Sequence, residues 1–276
     1  MQILNRHHLG AWPPDAVYIG RGTPLGNPYV IGEHGNRDAV CDQYADRMAY
    51  RIQQGDPVIL TALLGLKDDS RLICSCAPAR CHASEIEAAW KRLKETGLPS
   101  RRRSMAYAGI GSRVTPADQL QRMTRAAARL AAMGYTLRSG AAPGADSAFE
   151  AGAGTAKEIY LPWRAFNGSV SSFVEPARDA YEVAACVHPA WEKLSPAARK
   201  LMARNSHQIL GADLKAPADF VVCFTADGAE SEAQRNAATG GTGQAIALAS
   251  RWGVPVFNFA RGDAGERLLM YLEEIR

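Results

Sequence analysis

From Arg37 to Gln54 apolar residues recur at helical spacing, with Val40, Tyr44, Met48 and Ile52 on one stripe, so this stretch is read as an amphipathic helix. Before it, AVYIG at 16–20 is read as a strand and GRGTPLGNPYVIGEHGN as a Gly/Pro-rich loop. The apolar run 57–66 fits either a helix or a buried strand. RLICSC at 71–76 is read as a strand, and a helix is expected from Ser84, with that serine as its N-cap. TGLPSRRRS, at 96–104, then breaks the pattern with turn formers and a charge run. Beyond it, short apolar runs at 106–110, 135–139, 157–161, 219–224 and 255–259 are expected strands. They alternate with expected helices at 116–133, 144–153, 196–211, 241–252 and 263–275. The fold class that follows is α/β: a smaller α/β domain over 1–98, a basic linker over 99–104, and a Rossmann-like parallel-sheet domain over 105–276.

Composition changes this picture little. The chain has 276 residues, 47% hydrophobic and 22% charged, as an ordinary globular protein does. No apolar run reaches the length of a membrane span, and the first residues do not read as a secretory leader, so a cytoplasmic protein without a membrane partner is expected. The net charge of +4 is unevenly spread: residues 1–100 hold 11 Lys+Arg against 11 Asp+Glu, and the rest hold 21 against 17. Arg101, Arg102 and Arg103 account for most of that excess. Such a run reads as a solvated linker or as a contact for nucleic acid.

Four constellations stand out in the second domain, and the first two sit at expected strand ends, where ligands of parallel sheets bind. In the first, Gly111, Ser112 and Arg113 form a tight turn whose hydroxyl and guanidinium suit a phosphate. The second, SGAAPGADSAFEAGA, begins at Ser139-Gly140 and turns at Gly144 into a helix carrying Asp146 and Glu150. Four residues apart, those acids face the same way, either as a solvated edge or as carboxylates at a site, where they hold ribose hydroxyls or act as acid and base. In the third, Gly240, Gly241, Thr242 and Gly243 open a helix with an anion nest. Arg204-Asn205 is the fourth, on a helix among apolar residues, read as surface or as pointing into a cleft. A polar, disordered-looking segment is expected over 226–236.

In the order Gly111-Ser112-Arg113, Ser139 to Asp146, Arg204-Asn205 and Thr239 to Ala247, segment 105–260 resembles the SLOG superfamily, which joins DprA/Smf DNA-processing proteins to Lonely Guy phosphoribohydrolases. The resemblance implies a Rossmann-like domain that binds a nucleotide or sugar phosphate, and a homodimer. It also implies one of three activities: an enzyme at an N-glycosidic or phosphoribosyl centre, a DprA-like accessory protein on single-stranded nucleic acid, or a non-catalytic sensor of a nucleotide signal. Ala247 stands where the hydrolases carry a glutamate, so the enzyme reading assigns that work to Asp146 or Glu150.

Cys74, Cys76, Cys81 and His82 lie within nine residues of the first domain. Without a leader, a disulfide framework is not expected. Three readings stand: a zinc site, a reactive thiol near Arg80, or packing at a strand–helix junction. No other cofactor is required. With Gly20-Arg21, Gly26-Asn27-Pro28 and Pro78, these residues resemble an uncharacterised domain of bacterial and phage proteins over 16–90. That resemblance implies a site built from both motifs, in which Arg21 and Asn27 hold a phosphate or carboxylate or merely shape a turn.

Overall fold

The computed structural model of the protein describes residues 1–98 and 104–275. The three consecutive arginines at 101–103 therefore lie outside the described residues. The chain divides into two compact units, residues 1–100 and 101–276.

In the first unit, β1 (Gln2–Asn5), β2 (Val17–Tyr18) and β3 (Arg71–Cys74) form a parallel sheet in the order β1-β3-β2. Helices α1 (Arg37–Gln53), α2 (Pro57–Leu64) and α3 (His82–Thr96) complete the unit. The expected stripe of α1 is buried at Val40, Tyr44 and Met48. The ambiguous run at 57–66 is the helix α2, and its start explains why. Asp56 accepts the N–H groups of Val58 and Ile59 at 3.0 and 3.1 Å, and Pro57 occupies the first turn, where its missing N–H costs nothing. Removing that cap in Asp56→Ala, which also breaks the 2.7 Å ion pair to Arg51, is expected to cost about 1–2 kcal/mol in urea denaturation. Ser84 is not an N-cap: α3 begins two residues earlier, with Cys81 in that place, and Ser84 donates its hydroxyl back to the Cys81 carbonyl at 2.6 Å.

The second unit is a six-stranded sheet of β4 (Ala106–Gly111), β5 (Thr136–Ser139), β6 (Lys157–Leu161), β7 (Phe173–Val174), β8 (Phe220–Phe224) and β9 (Val256–Asn258). Its order is β7-β6-β5-β4-β8-β9, and each adjacent pair is parallel. Tyr107, Leu137, Phe220, Val222 and Phe257 project from one face into a core with Met123, Ala127 and Leu130 of α4 (Ala117–Ala132), Phe149 of α5 (Ala145–Ala153) and Leu268 and Leu272 of α9 (Ala264–Glu274). The alternate residues Val221 and Cys223 are equally buried, because α6 (Arg178–Val187), α7 (Pro196–Leu210) and α8 (Thr242–Arg251) complete the unit. This is a Rossmann-like α/β sheet. Strand order reverses direction at β4, whose two neighbours are β5 and β8, so the crevice of a doubly wound sheet opens at the carboxyl ends of β4 and β8.

The segment 226–236 is ordered, contrary to the reading of its polar composition. Arg251 forks onto Glu232 with contacts of 2.8 and 2.7 Å, and Arg267 reaches Glu230 at 2.7 Å. Charge pairing, which hydropathy does not reveal, fixes this loop against α8 and α9.

Candidate functional site

At the carboxyl end of β4 the second unit holds a cavity of about 380 Å³. The β4 turn supplies Gly111, Ser112 and Arg113. Its shape is set by backbone bonds: Ser112 N–H donates to Phe224 O at 2.9 Å, and Ser112 O accepts Ala145 N–H at 3.2 Å and the Thr115 hydroxyl at 2.7 Å. From α5 comes Asp146, from α7 come Arg204, Asn205 and Gln208, and the glycine turn before α8 adds Thr239, Gly240, Gly241 and Thr242. Asn205 Nδ2 donates to Gly241 O at 3.3 Å, tying α7 to that turn. Thr239 closes a capping box with Asn236, which holds the turn from its other side.

Asp146 and Arg204 are 4% and 6% exposed, and their nearest charged atoms, Oδ2 and Nη1, are 3.6 Å apart. That is an ion pair too long for a hydrogen bond. Among the described residues, Arg204 Nε and Nη1 and Gln208 Nε2 have no hydrogen-bond partner, although all three are buried. Burial pushes the Asp146 carboxyl above the ordinary range, while Arg204 and the backbone N–H groups of Ala142, Gly111 and Gly140 pull it back. Burial likewise lowers Arg204, which Asp146 opposes and the nearby Arg113 reinforces. Even so, a guanidinium keeps its proton in a protein. Two guanidiniums thus share the cavity with one carboxylate, and the surplus is positive.

The second turn serves the cavity from behind. Ser139 does not line it: the hydroxyl donates to Gly109 O at 2.7 Å inside the sheet. Gly140 does not line it either. A Cβ there would lie 1.1 Å from Arg204 Nη1, so this glycine makes the space in which the guanidinium rests. Gly144 adopts a φ of 84° beneath the carbonyls of Ser112 and Arg113. Gly243 packs beside Thr239, within α8. Glu150 is away from the cavity: Lys157 Nζ holds its Oε1 at 2.9 Å. A spacing of four is not enough to make the two acids share a site, because α5 has its first turn at the sheet's crevice and Glu150 sits one turn further on. Gln208 escaped the sequence reading, yet it lies one helical turn after Arg204 and its position was derivable from that spacing. His207 is structural, with Nδ1 donating to Gly211 O at 3.0 Å and Nε2 accepting Ala177 N–H at 3.2 Å.

In the first unit, Arg21 and Asn27 line a separate cavity together with Cys76, Cys81 and His82. Asn27 spends its amide on the scaffold: Nδ2 donates to Val40 O of α1 at 3.1 Å and Oδ1 accepts Tyr29 N–H within the loop at 2.9 Å. Cys74 Sγ accepts Cys76 N–H at 3.4 Å, and His82 Nε2 donates to Ile19 O at 2.7 Å. Among the described residues, no group of three or more His, Cys, Asp or Glu side chains is arranged to hold a metal ion. Burial raises the Cys81 thiol, and Arg80 is already matched by Asp42, Asp38 and Glu85 at 2.6, 3.1 and 3.3 Å.

The sheet and its crevice thus place the second unit among doubly wound α/β domains. The first unit has a family match: residues 4–92 fit the family described as "Domain of unknown function (DUF4326)". No curated protein and no solved structure matches the chain. Among the described residues, no helix is long and apolar enough to cross a membrane.

Proposed function

We propose that the second unit binds a nucleotide or nucleotide derivative through its phosphate. The observation that carries this reading is the set of buried donors on α7 that have no hydrogen-bond acceptor among the described residues: Arg204 Nε, Arg204 Nη1 and Gln208 Nε2. A buried donor without an acceptor is costly in any protein, and the cost is recovered when an acceptor-rich anion enters. The start of α8 and the glycine turn add positive backbone potential on the opposite wall. A volume of about 380 Å³ suits a phosphate with its sugar.

Thermal-shift titration with nucleoside mono-, di- and triphosphates tests this. A ligand present at about 100 times its Kd is expected to add about 2.7 kcal/mol of stability. If no nucleotide shifts the melt, and single-stranded DNA binds instead with a steep salt dependence, the reading fails in favour of a nucleic-acid function.

One observation favours a second reading, cleavage at an N-glycosidic centre. Asp146 is a buried carboxyl held above the ordinary range, the state expected of a general acid. Glycosidic hydrolysis ordinarily uses two carboxylates, however. Glu150 is engaged elsewhere, and Ala247 is fully buried within α8. Binding is therefore the function we assign. Release of free base from a nucleoside monophosphate, lost in Asp146→Asn, would overturn that assignment in favour of catalysis.

A further inference from the structure

The cavity of the first unit measures about 490 Å³ and collects residues far apart in sequence. Arg6 follows β1, Arg21 lies on the loop after β2, and Arg37 is the first residue of α1. Among the described residues, none of these three guanidiniums pairs with a carboxylate. Their hydrogen bonds go to neutral acceptors: Arg6 to the Tyr18 hydroxyl at 3.1 Å, Arg21 to Tyr29 O at 3.3 Å and Arg37 to Arg80 O at 3.3 Å. Three other arginines of the unit do pair with acids. Arg51 meets Asp56 at 2.7 Å, Arg71 meets Asp15 at 3.4 Å, and Arg80, on the same rim, is enclosed by three acids.

The floor does not cancel this charge. Burial raises the Cys41 and Cys81 thiols, which keeps them neutral, and lowers His82, whose Nε2 proton goes to the Ile19 carbonyl. The wall carrying Arg21 is also built to hold its shape. A Cβ on Gly26 would lie 2.3 Å from Gly20 O, so only glycine lets the loop close on itself there. The Tyr44 hydroxyl donates to Leu25 O at 2.7 Å, and the Asn27 amide ties the loop to Val40 O of α1 and to Tyr29 N–H. A carboxylate is satisfied by a single guanidinium fork, whereas three forks arriving from three segments suit a tetrahedral anion with more than one negative charge.

We propose that this cavity is a second, independent binding site, which takes the phosphate or diphosphate end of a phosphorylated ligand on Arg6, Arg21 and Arg37. The whole site, from Arg6 to His82, falls inside the segment that matches the domain family, so the proposal assigns that domain a ligand class.

The test is calorimetric titration of the full chain with inorganic pyrophosphate and, separately, with acetate. It is run in an Arg204→Gln background, so that the site of the second unit does not contribute. Pyrophosphate is expected to bind one equivalent in that background. Arg21→Gln and Arg37→Gln should each weaken it about tenfold, and the pair about a hundredfold, as expected for lost charge-assisted contacts. Arg51→Gln, whose guanidinium is paired elsewhere, should leave the affinity unchanged. Circular dichroism and melting curves confirm that each variant is folded. The proposal is overturned if Arg204→Gln alone abolishes pyrophosphate binding, if the folded Arg21→Gln/Arg37→Gln protein binds it as well as its parent, or if acetate competes with equal affinity.

Discussion

An Arg204→Met protein is expected to lose both nucleotide affinity and stability, and to lose the stability in a pH-dependent way. Arg204 and Asp146 are a pair more than nine-tenths buried, with one carboxylate oxygen 3.6 Å from Nη1. Methionine keeps most of the apolar stem but strands the carboxylate. Breaking one side of a buried pair costs about 3–5 kcal/mol at neutral pH. Burial already holds the Asp146 carboxyl above its ordinary range, and without the guanidinium that shift grows. A carboxyl whose folded pKa lies above its unfolded value binds its proton more tightly when folded. Its contribution is therefore fully present below the unfolded pKa and declines as pH rises through the folded one. Urea denaturation of Arg204→Met should accordingly show a deficit against the parent that is largest at about pH 8 and shrinks towards about pH 5. The double variant Asp146→Asn/Arg204→Met removes the stranded charge and should recover most of the stability. It should not recover binding. A phosphate held by Arg204 loses about 1.5–3 kcal/mol for each charged hydrogen bond, or about 10- to 100-fold in Kd by titration. Full affinity in the double variant would mean that the ligand is held elsewhere in the cavity.

The contrast between Asp146 and Glu150 marks how far the sequence could be read. Helical spacing puts both acids on one side of α5. Only the placement of the helix start against the β4 turn decides that Asp146 meets Arg204 while Glu150 meets Lys157. That placement depends on contacts between segments about thirty residues apart, which periodicity does not carry. The strands beginning at 106, 136, 157, 220 and 256 were legible because both faces of the sheet are covered, so each appears as an apolar run. β1, β7 and α6 were not. QILN is four residues of mixed polarity, Phe173–Val174 is a two-residue edge, and α6 follows a loop whose composition suggests no regular structure. The motifs of the first unit were legible as chemistry but not as a charge balance. Arg80 and Arg21 look alike in sequence, and only the fold encloses one in acids while leaving the other without.

Gly144→Ala is the second change expected to have a large effect, and it probes the architecture beneath the site. Gly144 precedes α5 with φ 84° and ψ −123°, a backbone region that L-residues avoid. A Cβ there would stand 2.5 Å from Ser112 O and 2.7 Å from Arg113 O. Both are main-chain atoms, so no side chain can swing aside to relieve the clash. The strain is worth about 1–3 kcal/mol and the overpacking about as much again. For a unit of this size the sum corresponds to a fall in melting temperature of about 5–25 °C. The same displacement pushes the Ser112–Arg113 turn away from Arg204, so nucleotide affinity should fall about tenfold in protein that remains folded. Gly262→Ala provides the comparison: nothing lies within 4 Å of its Cβ position and its φ is not left-handed, so its effect should stay within about 0.5 kcal/mol. The Arg204 variants test the charges of the cavity, whereas Gly144→Ala leaves each of those charges in place and alters only the distance between the two glycine turns. If it melts with its parent but binds weakly, that distance sets affinity without setting stability. If it melts and binds as its parent does, the β4 turn is not held by α5, and the cavity's shape does not depend on Gly144.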